Sequence, residues 1–137
     1  MYAASHALII GINKYKHVGP LIHASNDAEA LAKKLINKSG FPSGNVELLL
    51  DDKATQRAIT QSLLRFADST KVKPDDRLLV FFAGHGHTEL GRRGEAGHLV
   101  PVDGDPADLS TLIRWDELRL AGELERIPLM LEHIRRE

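Results

Sequence analysis

Arg77-Leu78-Leu79-Val80-Phe81-Phe82-Ala83-Gly84-His85-Gly86-His87 decides the fold. Seven residues without a break in apolar character, bar the first, read as a strand buried on both faces. Gly84-His85-Gly86-His87 breaks that strand abruptly and reads as a tight loop. Upstream, Ala7-Leu8-Ile9-Ile10-Gly11-Ile12 is a second continuous apolar run, and Val46-Glu47-Leu48-Leu49-Leu50 a third. Between them the periodicity changes to that of helices. From about Asn26 to Asn37, Ala28, Leu31, Ala32, Leu35 and Ile36 form one stripe. Asp27 and Glu29 sit at the positive end, Lys33, Lys34 and Lys38 at the negative end, and Gly40 stops the helix. Thr55 caps a second helix to about Ser69, with Ile59, Leu63, Leu64 and Ala67 inward. The order strand, helix, strand, helix, strand predicts a three-layer αβα sandwich with a mainly parallel sheet.

Downstream, Thr88 to Gly97 reads as a glycine-rich, charged connection, His98 to Val102 as a short strand or extended edge, and Trp115 to Glu125 as a helix. There is no internal repeat and no linker, so residues 1–137 read as one domain.

Composition narrows the function. The chain has 137 residues, 18 Lys and Arg against 19 Asp and Glu, a net charge of −1, 42% apolar and 27% charged residues. That is ordinary globular composition. No excess of cations exists to neutralise phosphates, so a nucleic-acid partner is not expected. No run reaches the roughly 18 apolar residues of a membrane span. The apolar start lacks the basic residues and cleavage site of a signal peptide, so a cytoplasmic setting is expected. There is no cysteine, hence no disulfide, thiolate metal site or cysteine nucleophile.

In an open parallel sheet, ligands bind beyond the carboxyl ends of the strands. Asn13-Lys14-Tyr15, Asp51-Asp52 and Gly84-His85-Gly86-His87 all fall there. His85 lies between glycines that leave the backbone approachable. An imidazole is a side chain suited to general base and acid work. The Gly86 N–H suits a developing oxyanion. The plainer alternative is a histidine in a tight loop with no role.

Four segments together resemble the caspase-like and metacaspase-like peptidases of prokaryotes. Residues 7–15 resemble their opening strand, and His23-Ala24-Ser25-Asn26-Asp27-Ala28 the segment in which Asn-Asp-Ala opens a helix. Phe81-Phe82-Ala83-Gly84-His85-Gly86 resembles the catalytic-histidine motif, and Leu99-Val100-Pro101-Val102-Asp103 the strand after it. The resemblance implies a cysteine endopeptidase working on peptide or protein substrates, with His85 catalytic and the Gly86 N–H in the oxyanion hole. Asp27 matches the acidic residue of the substrate pocket, which implies a preference for Arg or Lys before the scissile bond. No cofactor is implied, though Asp103 and Asp105 with Gly104 could contribute oxygen ligands to calcium. Calcium activates some relatives through aspartates of later loops, which do not map residue by residue onto these positions.

The departure is the missing thiol. The caspase cysteine follows its histidine by about 50 residues, close to the last residues of this sequence. Ile127-Pro128-Leu129-Met130-Leu131-Glu132 reads as the strand that leads to it, or a divergent copy, with Ile134 near the nucleophile position. None of the serines has a strand-to-loop context aimed at His85. The expectation is a caspase-like domain incomplete at its carboxyl end, inactive alone, with an unpaired sheet edge that favours self-association. Two alternatives remain: a non-catalytic pseudo-peptidase that binds peptides, and a metal-dependent hydrolase using His85 and His87, for which His98 and Asp103 are further ligand candidates.

Overall fold

A computed structural model describes residues 4–66, 68, 70–73, 75–91, 94–114, 129–131 and 135–136. Its main sheet is parallel throughout and runs, edge to edge, β2 (Val46–Leu50), β1 (Ser5–Gly11), β3 (Arg77–Ala83), β7 (Leu129–Leu131). β1 lies between β2 and β3, pairing Ile9 with Leu48 on one side and with Phe81 on the other. α1 (Ala24–Lys38) covers one face and α2 (Gln56–Phe66) the other.

The uninterrupted apolar runs are explained by this layering. Successive side chains of a strand point to opposite faces. Leu8, Ile10, Ile12, Val80 and Phe82 pack under Ile59 and Leu63 of α2. Ala7, Ile9, Phe81 and Ala83 pack under Ala24, Ala28, Ala32 and Leu35 of α1. The alanine spacing of four keeps one narrow stripe on α1 and lets the helix sit close to the sheet.

The helix ends follow their local chemistry. Gly40, at φ +77°, turns the chain out of α1. The Thr55 hydroxyl accepts from the Ala58 N–H, an N-cap bond for α2. The Asp103 carboxylate accepts from the Gln56 N–H at the same helix end, at 2.9 Å. Two expected core residues face solvent instead, because the apolar stripes are narrower than the pattern allows: Leu64 is 58% exposed and Ile36 37%.

The expected glycine-rich connection is a hairpin. β4 (His85–Gly91) pairs antiparallel with β5 (Gly94–Leu99), and β5 with β6 (Ile113–Arg114). A second, small sheet of order β6-β5-β4-β8 results. His85 therefore opens a strand; it is not held in a loop.

β7 (Leu129–Leu131) lies parallel to β3, with Met130 opposite Phe81. The apolar edge expected at β3 is thus paired along Val80 to Phe82. β8 (Arg135–Arg136) then runs beside β4, with Arg135 opposite His85 and Arg136 opposite Gly86. The expected helix at Trp115 to Glu125 and the position of Ile134 lie outside the described residues. Among the described residues, no helix is long and apolar enough to cross a membrane.

Candidate active site

Gly11 ends β1 where α1 begins. A Cβ there would stand 2.6 Å from both the Ala24 carbonyl oxygen and the Ala28 Cβ, so only glycine lets the helix start abut the strand. Ile12 continues the sheet by donating its N–H to the Ala83 carbonyl at 3.1 Å. The chain then leaves as a loop, residues 13–23, which lies over the carboxyl ends of β1 and β3.

Side chains hold that loop. The Asp51 carboxylate, just past β2, accepts from the backbone N–H groups of Asn13 and Lys14 at 2.8 and 3.1 Å. Asp51 takes a left-handed backbone, φ +47°, which a short polar residue tolerates. The Asn13 side chain accepts from the Ser25 N–H at 3.2 Å and donates to the Ser25 hydroxyl at 2.5 Å. The Asn13 carbonyl accepts from the Leu21 N–H at 2.8 Å. Loop, β2 end and α1 start are one hydrogen-bonded unit.

His85 is set under this loop and is 2% exposed. Its N–H donates to the Tyr15 hydroxyl at 2.8 Å, and the Tyr15 ring meets the imidazole edge-on, centroids 4.9 Å apart. Its Nε2 lies 2.7 Å from the Gly19 carbonyl oxygen. A carbonyl only accepts, so Nε2 carries the proton of the neutral ring and Nδ1 the lone pair. Three contacts thus fix the ring's position, tilt and tautomer, as the third member of a catalytic triad does for its base. Burial raises the Tyr15 phenol well above its ordinary range, and the bond from His85 acts the other way. Tyr15 is a neutral support at any physiological pH.

The three segments singled out at the strand ends therefore meet: Asn13 and Lys14 with Asp51, and Tyr15 with His85. Gly86 is buried within β4, between Leu99 and Arg136. Asp27 is half-buried in the first turn of α1, its N–H bonded to the His23 carbonyl at 3.0 Å. It lies at the same end of the sheet as His85. The Tyr15 hydroxyl and the Gly19 carbonyl had no signature in the sequence as partners of His85.

His85 and His87 do not converge on one point. Two residues along a strand span about 7 Å, and each ring has its own surroundings. His87 sits beside His98 on β5, ring centroids 6.2 Å apart, with its Nε2 3.0 Å from the Glu89 carboxylate. Asp103 serves α2, and Asp105 accepts from the Ala107 N–H. Among the described residues, no three His, Asp or Glu side chains come together as a metal site.

The Caspase domain model matches residues 4–131. Metacaspase-6 of Arabidopsis thaliana is 32% identical over 111 residues, 73% of this chain and 30% of that protein. Metacaspase-1A of Aspergillus oryzae is 30% identical over 123 residues, 86% of this chain and 27% of its own. The chain thus spans less than a third of these relatives' length. The crystal structure of protein GSU0716 from Geobacter sulfurreducens superposes with a TM-score of 0.68 at 20% identity, over 97% of this chain and 48% of that one. That likeness concerns the fold. The family model, matched from the start of β1 to the end of β7, is the broader finding: this chain belongs to the caspase domain family.

Proposed function

We propose that this chain carries the histidine half of a caspase-type site for protein substrates, and that these 137 residues alone leave peptide bonds intact. One observation carries the reading. The buried imidazole of His85 is held by Gly19 and Tyr15 with its lone pair on Nδ1, the state a general base requires. In a complete dyad, Nδ1 takes the thiol proton while sulfur attacks the carbonyl carbon. The same proton passes to the leaving amine when the C–N bond breaks. The Gly86 N–H supports the oxyanion, and Asp27 selects Arg or Lys through an ion pair.

The chain has no thiol, and Arg135 is the residue whose backbone faces His85. Arg135→Cys therefore tests the reading. The unaltered chain is expected to show no turnover of fluorogenic Arg and Lys peptides. The Cys variant is expected to react with iodoacetamide well below the ordinary thiol pKa of about 8.5. His85→Ala in that background returns the profile to the ordinary value. Asp27→Asn weakens capture of a thiol-reactive Arg peptide without changing the iodoacetamide profile. Turnover by the unaltered chain, or a thiol indifferent to His85, refutes the proposal.

A further inference from the structure

His87 and His98 form a cross-strand pair on the β4–β5 hairpin, directly opposite each other in register. The Nδ1 atoms of both rings are buried and have no hydrogen-bond partner. A buried nitrogen without a partner is costly, and this hairpin carries two, side by side. His98 is 8% exposed and cannot turn to water for relief.

Glu89 gives the pair a direction. Its carboxylate lies 3.0 Å from Nε2 of His87. A carboxylate accepts, so it holds the proton on Nε2 and leaves the lone pair on Nδ1. This is the carboxylate–histidine arrangement that orients imidazoles toward metals and raises their basicity. Zn–N bonds of about 2.0–2.1 Å put each ring centre roughly 3 Å from a shared ion, so two ligating rings lie about 5–6 Å apart. The observed separation of 6.2 Å, with the rings tilted by 52°, lies just above that range. Glu89 is itself half-exposed.

We propose that His87 and His98 bind one divalent ion of the late transition metals, Zn²⁺ or Cu²⁺, through Nδ1 of each ring, with Glu89 as the orienting carboxylate. Imidazole nitrogen suits these ions and not Ca²⁺ or Mg²⁺. Binding parts the two rings enough to admit water to the remaining coordination positions. The site clamps the two strands one residue pair beyond Gly86, and it is separate from His85.

Calorimetric titration of the intact chain with ZnCl₂ at neutral pH tests this. One ion per chain is expected, not displaced by excess Ca²⁺. His87→Ala or His98→Ala abolishes the site, and Glu89→Gln weakens it by about tenfold or more. Thermal melts of each variant without metal establish that it folds. Cu²⁺ added below stoichiometry to the wild-type chain gives a second reading that needs no variant. It should broaden the backbone amide signals of His87 and His98 first. Zinc affinity undiminished in both alanine variants, or broadening centred on the exposed His17 and His23, overturns the proposal.

Discussion

Gly84→Ala places a methyl group where the candidate site has no room. Its Cβ would overlap the Tyr15 hydroxyl and stand 3.0 and 3.1 Å from two carbons of the Phe82 ring. Phe82 is fully buried and has nowhere to go. Tyr15 gives way, and its retreat strips the buried His85 N–H of its acceptor. Overpacking costs about 1–3 kcal/mol, and an orphaned buried N–H about 1–3 kcal/mol. The variant should lose about 2–6 kcal/mol, near 4 °C of melting temperature per kcal/mol for a chain of this size. Tyr15→Phe removes the acceptor without the clash and should lose about 1–3 kcal/mol. In the double variant the hydroxyl is already gone, so the alanine methyl meets less and deprives His85 of nothing further. Urea unfolding of the four proteins should yield a coupling of about 1–2 kcal/mol, the double variant being more stable than the sum predicts. Additivity within about 0.5 kcal/mol would show that Tyr15 and Gly84 do not share this contact.

Asp76 accepts from the Lys73 N–H and pairs with His6, and these partners hold its carboxyl below the usual range. Its contribution is complete above the unfolded value of about 3.9 and lost as pH falls through the lower folded value. Asp76→Asn should flatten that acid limb of a stability–pH curve; an unchanged limb would assign it to other carboxylates. Asn13→Ala removes the three side-chain bonds that join the loop to Ser25 and Ile22. It should cost about 1–3 kcal/mol and raise amide exchange from residue 13 to residue 22; protection equal to wild type would mean that Asp51 and the backbone bonds of the loop hold it without the Asn13 side chain. Leu64→Lys should change stability by no more than about 0.5 kcal/mol; a loss comparable to that of a core residue would contradict its exposure.

The main sheet was legible because β1 and β3 are mostly buried on both faces and the half-buried β2 keeps an apolar run. Residues 77–83 and 46–50 have the expected bounds, and β1 starts two residues early, at Ser5. The hairpin was not legible. Thr88, Glu89 and Leu90 lie at or near the surface, so no apolar alternation marks β4, and Gly94 and Gly97 resemble loop punctuation in β5. Its pairing is backbone hydrogen bonding, to which side-chain pattern is nearly blind. The same holds at the candidate site. A histidine between glycines after a buried strand stands out by residue type. Its support comes from a tyrosine 70 positions away and a bare carbonyl 66 positions away, and any residue at position 19 supplies a carbonyl.

The central place of β1 bears on how the chain is made. Ser5 and Arg77, side by side in the sheet, are 72 positions apart. At about 5–20 residues per second of synthesis, the second edge of β1 waits roughly 4–14 s for its neighbour. During that interval Leu8, Ile9 and Ile10 present an apolar strand with one side covered at most, a template for any extended segment nearby. Tyr15 waits as long for His85. The candidate site is thus among the later parts of the nascent chain to close, and a ribosome-bound chaperone would find its natural target at the sheet's first strand.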